Sequence, residues 1–177
     1  MELEIILPGS QLEVLFQLLA AMLLGMVMGA ERSIAQKTAG MRTYALVAMG
    51  SALFVIISSL VASAFLGLVD FDPLRVTAAI IVGIGFIGAG VIIFRETTLQ
   101  GLTTAAGMWV AAGVGVAVGF KLYLIAIFAS MLTLFAFTAM WMIENFVEEH
   151  INFFSRKKGD KSTPEKLEGS HADRSIN

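Results

Sequence analysis

The chain of 177 residues contains no cysteine and only two histidines, His150 and His171. The lack of cysteine excludes disulfides, thiolate metal sites and a cysteine nucleophile. Both histidines lie in the C-terminal region, which excludes a histidine metal cluster or a Ser-His-Asp triad among the apolar segments. Charged residues are also scarce, at 15%, whereas 57% of the residues are hydrophobic. This balance is typical of a membrane protein and not of a soluble domain of this size.

Long uncharged runs hold most of the apolar residues. About 20 residues at 1.5 Å per residue cross ~30 Å of hydrocarbon, so such runs predict transmembrane helices. A cleaved signal peptide is not expected, because Glu2, Glu4 and Glu13 stand where a basic segment would be needed. We therefore predict an all-α membrane bundle of five transmembrane helices, near residues 14–30, 44–69, 76–94, 97–120 and 122–143.

The basic residues are unevenly distributed between the two ends of these helices. Arg32, Lys37 and Arg42 follow the first helix, Arg95 follows the third, and residues 156–158 are all basic. The positive-inside rule then predicts that the N-terminus is outside and the C-terminus cytoplasmic. We expect residues 1–155 to form the multi-pass membrane domain. The polar residues 156–177 have little to bury and are expected to be a disordered cytoplasmic tail.

The stretch GIGFIGAG, residues 83–90, fits the G-x-G-x-x-G pattern of dinucleotide-binding loops. That pattern is informative only between a strand and a helix, with an acidic residue about 20 positions later. Here the stretch lies inside the third apolar run, and no carboxylate occurs between Glu96 and Glu144. We therefore expect no nucleotide, no nucleic acid and no other cofactor to bind.

Helix packing is the alternative explanation for these glycines, because small residues let transmembrane backbones approach closely. Gly83 and Gly90 share one helical face, and Gly85 and Gly88 lie roughly opposite, which predicts a third helix clasped between neighbours. A second interpretation is a bendable or locally unwound helix that exposes carbonyls to a substrate. Small residues recur every fourth position in two other helices: Ala21, Gly25 and Gly29, and then Gly107, Ala111, Gly115 and Gly119.

Ionisable residues occur only at the edges of the apolar runs, and no carboxylate marks an ion pathway within them. A candidate polar cluster on the predicted cytoplasmic side has Glu31, Arg42 and Arg95 paired across helices. It is completed by Arg32, Thr43, Thr103 and Thr104. The alternative is plain interfacial anchoring and ion pairs within loops. Asp72 and Arg75 belong to an external loop, where Asp72 followed by Pro73 predicts the N-cap of helix 3.

Three stretches in this order carry a resemblance: GAERSIAQKTAGMRTYALVAMGSALF, FDPLRVTAAIIVGIGFIGAGVIIFR and LQGLTTAAGMWVAAGVGVAVG. Together they resemble the N-terminal membrane domain of the MgtC/SapB family over residues 12–140. The resemblance implies a multi-pass protein of the bacterial inner membrane. It also implies a role in growth under magnesium limitation and, in pathogens, in survival inside host cells.

Two positions depart from the family pattern, which puts any shared role of those polar groups in doubt here. Ala79 stands where members often have a glutamine, and Gln100 stands where a basic residue often precedes G-L-T-T. Longer members also carry a soluble C-terminal domain that resembles a small-ligand regulatory module. We expect a short form to lack the activity of that module.

Two functions remain open from the sequence. The first is a non-enzymatic regulator of magnesium or stress adaptation that acts in the lipid bilayer as a homo-oligomer or on other membrane proteins. The second is a small oligomeric transporter or channel for Mg²⁺ or another ion. We do not expect an enzyme, because no base is positioned to activate hydroxyls such as those of Thr43 and Thr103.

Overall fold

A computed structural model of the chain describes residues 11–64, 72–95 and 98–139, except for the side chains of residues 64, 73 and 95. Within these ranges the chain forms five helices, with a two-stranded antiparallel hairpin between the third and the fourth. The elements are α1 (Gln11–Ile34), α2 (Met41–Ala64), α3 (Pro73–Val91), β1 (Ile93–Arg95), β2 (Thr98–Gln100), α4 (Leu102–Gly119) and α5 (Tyr123–Ala139).

Helices α1 to α4 are each long and apolar enough to cross a membrane. The prediction of a helical, multi-pass membrane architecture is confirmed at this level. The fifth crossing and the orientation of the termini stay predictions. The ends of two predicted spans, residues 65–69 and 140–143, and the tail 156–177 lie outside the described residues.

Helix α3 begins as the sequence predicts. Asp72 accepts a hydrogen bond at 2.9 Å from the backbone N–H of Leu74, and Pro73 is the first helical residue. An aspartate N-cap satisfies a backbone donor that the helix leaves free, and proline has no such donor to lose. The position of Asp72 is thus explained by helix initiation.

The hairpin corrects two predicted boundaries. The predicted third helix runs to residue 94, but α3 ends at Val91, and Phe94 pairs with Leu99 across the hairpin. The predicted fourth helix starts at residue 97, but α4 begins at Leu102. Gly101 makes the junction with a φ of +90°, and a Cβ there would collide with the carbonyl oxygen of Val91. Glycine adopts this left-handed conformation without steric cost, which explains its place between strand and helix.

Helix α2 lies between α1 and α4, and glycines bring the three backbones together. A Cβ on Gly25 of α1 would lie 2.5 Å from the carbonyl oxygen of Tyr44. A Cβ on Gly115 of α4 would overlap the carbonyl of Ala48. Such close approach is the usual means of helix association in lipid. The prediction that small residues of helices 1 and 4 form packing faces is confirmed.

The remaining contacts fix the directions of the helices. Gly29 of α1 contacts Met41 at the start of α2, so these two helices are antiparallel. The ring of Phe16 meets that of Tyr123 edge-on at 5.9 Å, near the starts of α1 and α5. These two helices therefore run in the same direction. We call the end of the bundle where α1 finishes the Arg32 end and the opposite end the Lys121 end.

Candidate functional site

Arg32, in the last turn of α1, is buried at the Arg32 end with only 4% of its surface exposed. Its guanidinium carbon lies 3.7 Å from the centroid of the Phe137 ring, and its Nε pairs with the carboxylate of Glu31. A buried charge is costly unless it is paired. The carboxylate and the negative face of the ring supply that compensation. The contact with Phe137 also attaches α5 to the end of α1.

Tyr44 continues this arrangement from α2. Its side chain is fully buried, and its hydroxyl donates a hydrogen bond of 3.1 Å to the backbone carbonyl of Thr104 in α4. A Cβ on Gly107 would collide with both the Tyr44 hydroxyl and the Phe137 ring. Gly107 therefore makes room for the two aromatic side chains, which meet over its backbone. We call Glu31, Arg32, Tyr44, Thr104 and Phe137 the arginine cluster.

The structure brings together part of the predicted polar cluster. Glu31, Arg32 and Thr104 join the arginine cluster, but Glu31 pairs with its neighbour Arg32 and not with Arg42. Arg42 and Thr103 are exposed, and Thr43 is partly buried. The side chain of Arg95 lies outside the described residues, so its pairing stays a prediction.

The analysis of the sequence missed Tyr44 and Phe137. Tyr44 directly follows Arg42 and Thr43, and a tyrosine at the edge of an apolar run is ordinarily explained as an interfacial anchor. Phe137 is one of 13 phenylalanines, and only the parallel packing of α1 and α5 selects it. Composition and periodicity carry no information on that long-range contact.

The Lys121 end holds a second set of polar contacts. Gln17 of α1 is buried, and its Nε2 donates to the carbonyls of Val118 and Gly119 at 3.1 and 3.0 Å. These carbonyls belong to the last turn of α4, where helical partners are missing. An interhelical side chain thus takes the place of a cap. The predicted external residues Asp72 and Arg75 are both exposed.

Lys121 ends α4 in the left-handed conformation, with a φ of +63°. Its N–H donates to the carbonyl of Val118, and the N–H of Leu122 donates to that of Ala117, which closes the helix end. Its ammonium pairs with the Glu13 carboxylate at 2.7 Å. The hydrogen bond from Glu13 is the main cause that raises the pKa of Lys121 above its ordinary value.

The glycines of α3 differ from those of α1 and α4. A Cβ on Gly88 would make an ordinary contact of 3.5 Å with Ala105, but one on Gly83, Gly85 or Gly90 would have no neighbour within 4 Å. The prediction that both small-residue faces of this helix are clasped inside the bundle is therefore wrong for these three positions. The chain is also helical without interruption across them. Within the described residues, the locally unwound form is not observed.

The described residues contain no group of three or more histidine, aspartate or glutamate side chains close enough to hold a metal ion. The carboxylates discussed above each contact a cation or a backbone donor. The geometry on both ends is that of interhelical attachment, with buried polar groups joining α1 to α4 and α5. Together with the four apolar helices, it defines a multi-pass helical membrane protein.

Comparison with known families agrees with this class. The family model described as "MgtC family" matches residues 18–146, and the chain belongs to that family. The comparison with solved structures found no match.

Relatives of known name are found in several bacteria. The chain is 42% identical over 119 residues to "Putative magnesium transporter YhiD" of Escherichia coli K12, covering 66% of this chain and 55% of that protein. It is 42% identical over 135 residues to "Uncharacterized protein slr0014" of Synechocystis, covering 76% and 55%. It is 48% identical over 91 residues to "Protein MgtC" of Salmonella typhimurium LT2, covering 51% and 36%. The chain thus spans about half or less of the length of these relatives.

Proposed function

We propose that this chain is a non-enzymatic regulator in the bacterial inner membrane, which acts by docking α3 against a transmembrane helix of another membrane protein. The observation that carries the proposal is the open face of α3. Gly83 and Gly90 lie one above the other on this face, Ala79 and Phe86 lie beside them, and all four are exposed. We call these four residues the α3 outer face.

The α3 outer face has the composition of a helix interface, although no other part of the described chain covers it. Small residues are enriched where transmembrane helices meet, because they allow backbone contact. Phe86, with 84% of its surface exposed, offers a large ring between the two glycines. A helix with a small-residue groove and one aromatic projection is suited to dock against a second helix.

The free-energy cost of these glycines supports the same interpretation. A glycine inside a helix is less favourable than alanine by about 0.5–1 kcal/mol. In α1 and α4, glycines such as Gly25 and Gly115 recover that cost through contact with α2. Gly83, Gly85 and Gly90 cost about 2 kcal/mol together and gain no contact within the described chain. A partner helix would supply the missing contact.

Growth under magnesium limitation is the readout for this proposal, because the family resemblance and the name of the Escherichia coli relative both refer to magnesium. The test replaces Gly83 and Gly90 together by leucine in a strain that lacks its own copy of the gene. Gly113→Leu is the matched control, since Gly113 lies on α4 and also has no neighbour within 4 Å. Membrane levels of each variant are measured by immunoblotting.

We expect the double variant to lower the viable count at limiting magnesium by at least about ten-fold, while Gly113→Leu keeps wild-type growth. Each leucine fills the groove that a partner backbone would occupy, and neither clashes within the bundle. Equal growth of the wild type and the double variant, at equal membrane levels, would contradict the proposal.

A small oligomeric transporter is the second candidate. It is favoured by the name of the Escherichia coli relative and by the number of glycines in α3. The uninterrupted helix through Gly83–Gly90 argues against carbonyls exposed to a substrate. The two candidates are distinguished by Mg²⁺ entry into proteoliposomes that contain the purified protein. Saturable entry that exceeds entry into empty liposomes would replace the regulator by the transporter.

A further inference from the structure

A cavity of about 130 Å³ opens at the Lys121 end, between the start of α1 and the ends of α2 and α4. It lies at the opposite end of α1 from the arginine cluster and away from the α3 outer face. Its walls combine apolar and polar side chains, which are Glu13, Val14, Gln17, Ile56, Ser59, Leu60, Ser63 and Lys121 together with Gly119. We call it the Glu13 pocket.

The polar atoms of the Glu13 pocket are unequal in kind. The donors have partners within the protein: Gln17 donates to two carbonyls, and the Ser63 hydroxyl donates to the carbonyl of Leu60 at 2.8 Å. Lys121 donates to Glu13. A hydroxyl that donates still has oxygen lone pairs, and an amide keeps its carbonyl oxygen. The pocket therefore offers oxygen acceptors to a ligand and few donors, which suits a cation and disfavours an anion.

The ligand chemistry follows from these oxygens. One carboxylate, hydroxyl oxygens and an amide oxygen are ligands that hard cations prefer, and Mg²⁺ is commonly held by one or two carboxylates with several retained waters. A volume of about 130 Å³ accommodates roughly four water-sized groups at ~30 Å³ each. The space therefore fits a cation that keeps part of its hydration shell.

Lys121 already places a positive charge on the carboxylate that such a cation would use. The lysine is held in the left-handed conformation, which costs a residue with a Cβ about 1 kcal/mol compared with glycine. Glycine is the usual residue at this position of a helix end. A side chain is thus retained where the backbone favours none, and its ammonium reaches Glu13.

We infer that the Glu13 pocket binds a partly hydrated divalent cation on Glu13, and that the ammonium of Lys121 competes with it for the carboxylate. The inference is independent of the docking proposed for α3. Binding displaces Lys121 from Glu13, so the cation and the ion pair exclude each other.

The test uses Mn²⁺ as a probe, observed by electron paramagnetic resonance, with the full chain purified in an uncharged detergent. Four variants are compared with the wild type. Lys121→Met removes the competing charge, and Lys121→Arg keeps it. Glu13→Gln removes the carboxylate. Lys37→Met is the matched control, because it deletes an exposed lysine at the Arg32 end and changes the net charge equally.

We expect Lys121→Met to bind Mn²⁺ at least about ten-fold more tightly than the wild type, with Lys121→Arg and Lys37→Met unchanged. Glu13→Gln should lose the site. Mg²⁺ should displace the probe, whereas Na⁺ or methylammonium at equal ionic strength should not. Thermal unfolding and gel filtration identify variants that fold.

Three results would overturn the inference. Equal binding by the wild type and Glu13→Gln would place the ion elsewhere, and equal tightening in Lys37→Met would reduce the effect to net charge. Displacement by methylammonium as readily as by Mg²⁺ would exclude a site for divalent cations. If Lys121→Met does not fold, Lys121→Gln repeats the comparison with a polar side chain.

Discussion

Arg32 stacks on the ring of Phe137, with its guanidinium carbon 3.7 Å from the ring centroid. The two residues lie 105 positions apart, at the end of α1 and in α5. This contact gives a buried charge a favourable surface and holds α5 on the bundle. The Phe137 ring in turn rests over Gly107 beside the Tyr44 hydroxyl, so four helices meet at one point.

The first prediction concerns this contact. Phe137→Leu keeps an apolar side chain but removes the aromatic ring, and it should lower the free energy of unfolding by about 1–2 kcal/mol. Denaturation of the purified protein by a graded denaturing detergent measures the change. Phe135→Leu, at an exposed position of the same helix, should stay within about 0.5 kcal/mol of the wild type. Equal effects of the two substitutions would mean that the stacking on Arg32 contributes nothing.

The second prediction concerns backbone contact between α4 and α2. In Gly115→Ala the new methyl group would overlap the carbonyl of Ala48, so the helices must separate, at a cost of about 1–3 kcal/mol. Gly113→Ala adds the same methyl group two residues away, in open space. Alanine is the better helix former, so this control should be neutral or more stable by up to about 1 kcal/mol. A thermal unfolding series on both variants decides, and a tolerated Gly115→Ala would refute the close approach.

The third prediction concerns the charge state of Lys121. The hydrogen bond from Glu13 raises its pKa in the folded protein, so Glu13→Gln should lower that pKa toward its ordinary value. The pair contributes stability below the unfolded pKa of lysine and loses it as pH rises through the folded pKa. The stability difference between the wild type and Glu13→Gln should therefore diminish at strongly alkaline pH.

Titration of ¹³C-methylated lysines by nuclear magnetic resonance measures this pKa, with Lys121→Arg used to assign the signal. An unchanged Lys121 pKa in Glu13→Gln would show that the ion pair does not form in solution.

Hydropathy and small-residue spacing predicted the parts of the fold that repeat along one helix. The stripe from Ala21 to Gly29 follows from periodicity alone, and Asp72 with Pro73 specified the start of α3. The hairpin was not predictable in this way, because an apolar strand such as Ile93–Arg95 continues an apolar helix without a change in hydropathy. Gly101 offered a local clue, since glycine is favoured where φ is positive.

The candidate site was predictable only in part, for a different reason. Edge positions drew attention to Glu31, Arg32 and Thr104, which do lie together. Their partners Tyr44 and Phe137 depend on which helices are neighbours and in which direction each one runs. The same holds for Gln17 and for the pair of Glu13 and Lys121, which connect residues more than 100 positions apart.

The most direct test of the proposed docking uses the absence of cysteine from the chain, because a single introduced cysteine reports one position. Gly83→Cys and Gly113→Cys place a thiol on the α3 outer face and on an open position of α4. Oxidation in native membranes, followed by electrophoresis without reductant, then detects any neighbouring chain that presents a thiol, and a cysteine-directed bifunctional reagent detects other neighbours. The account predicts a specific adduct heavier than the 19.0 kDa chain for Gly83→Cys and none for Gly113→Cys. An adduct of twice that mass identifies a second copy, and any other mass identifies a different membrane protein. Monomer alone in both variants, with the thiols shown to be reactive, would contradict docking through α3.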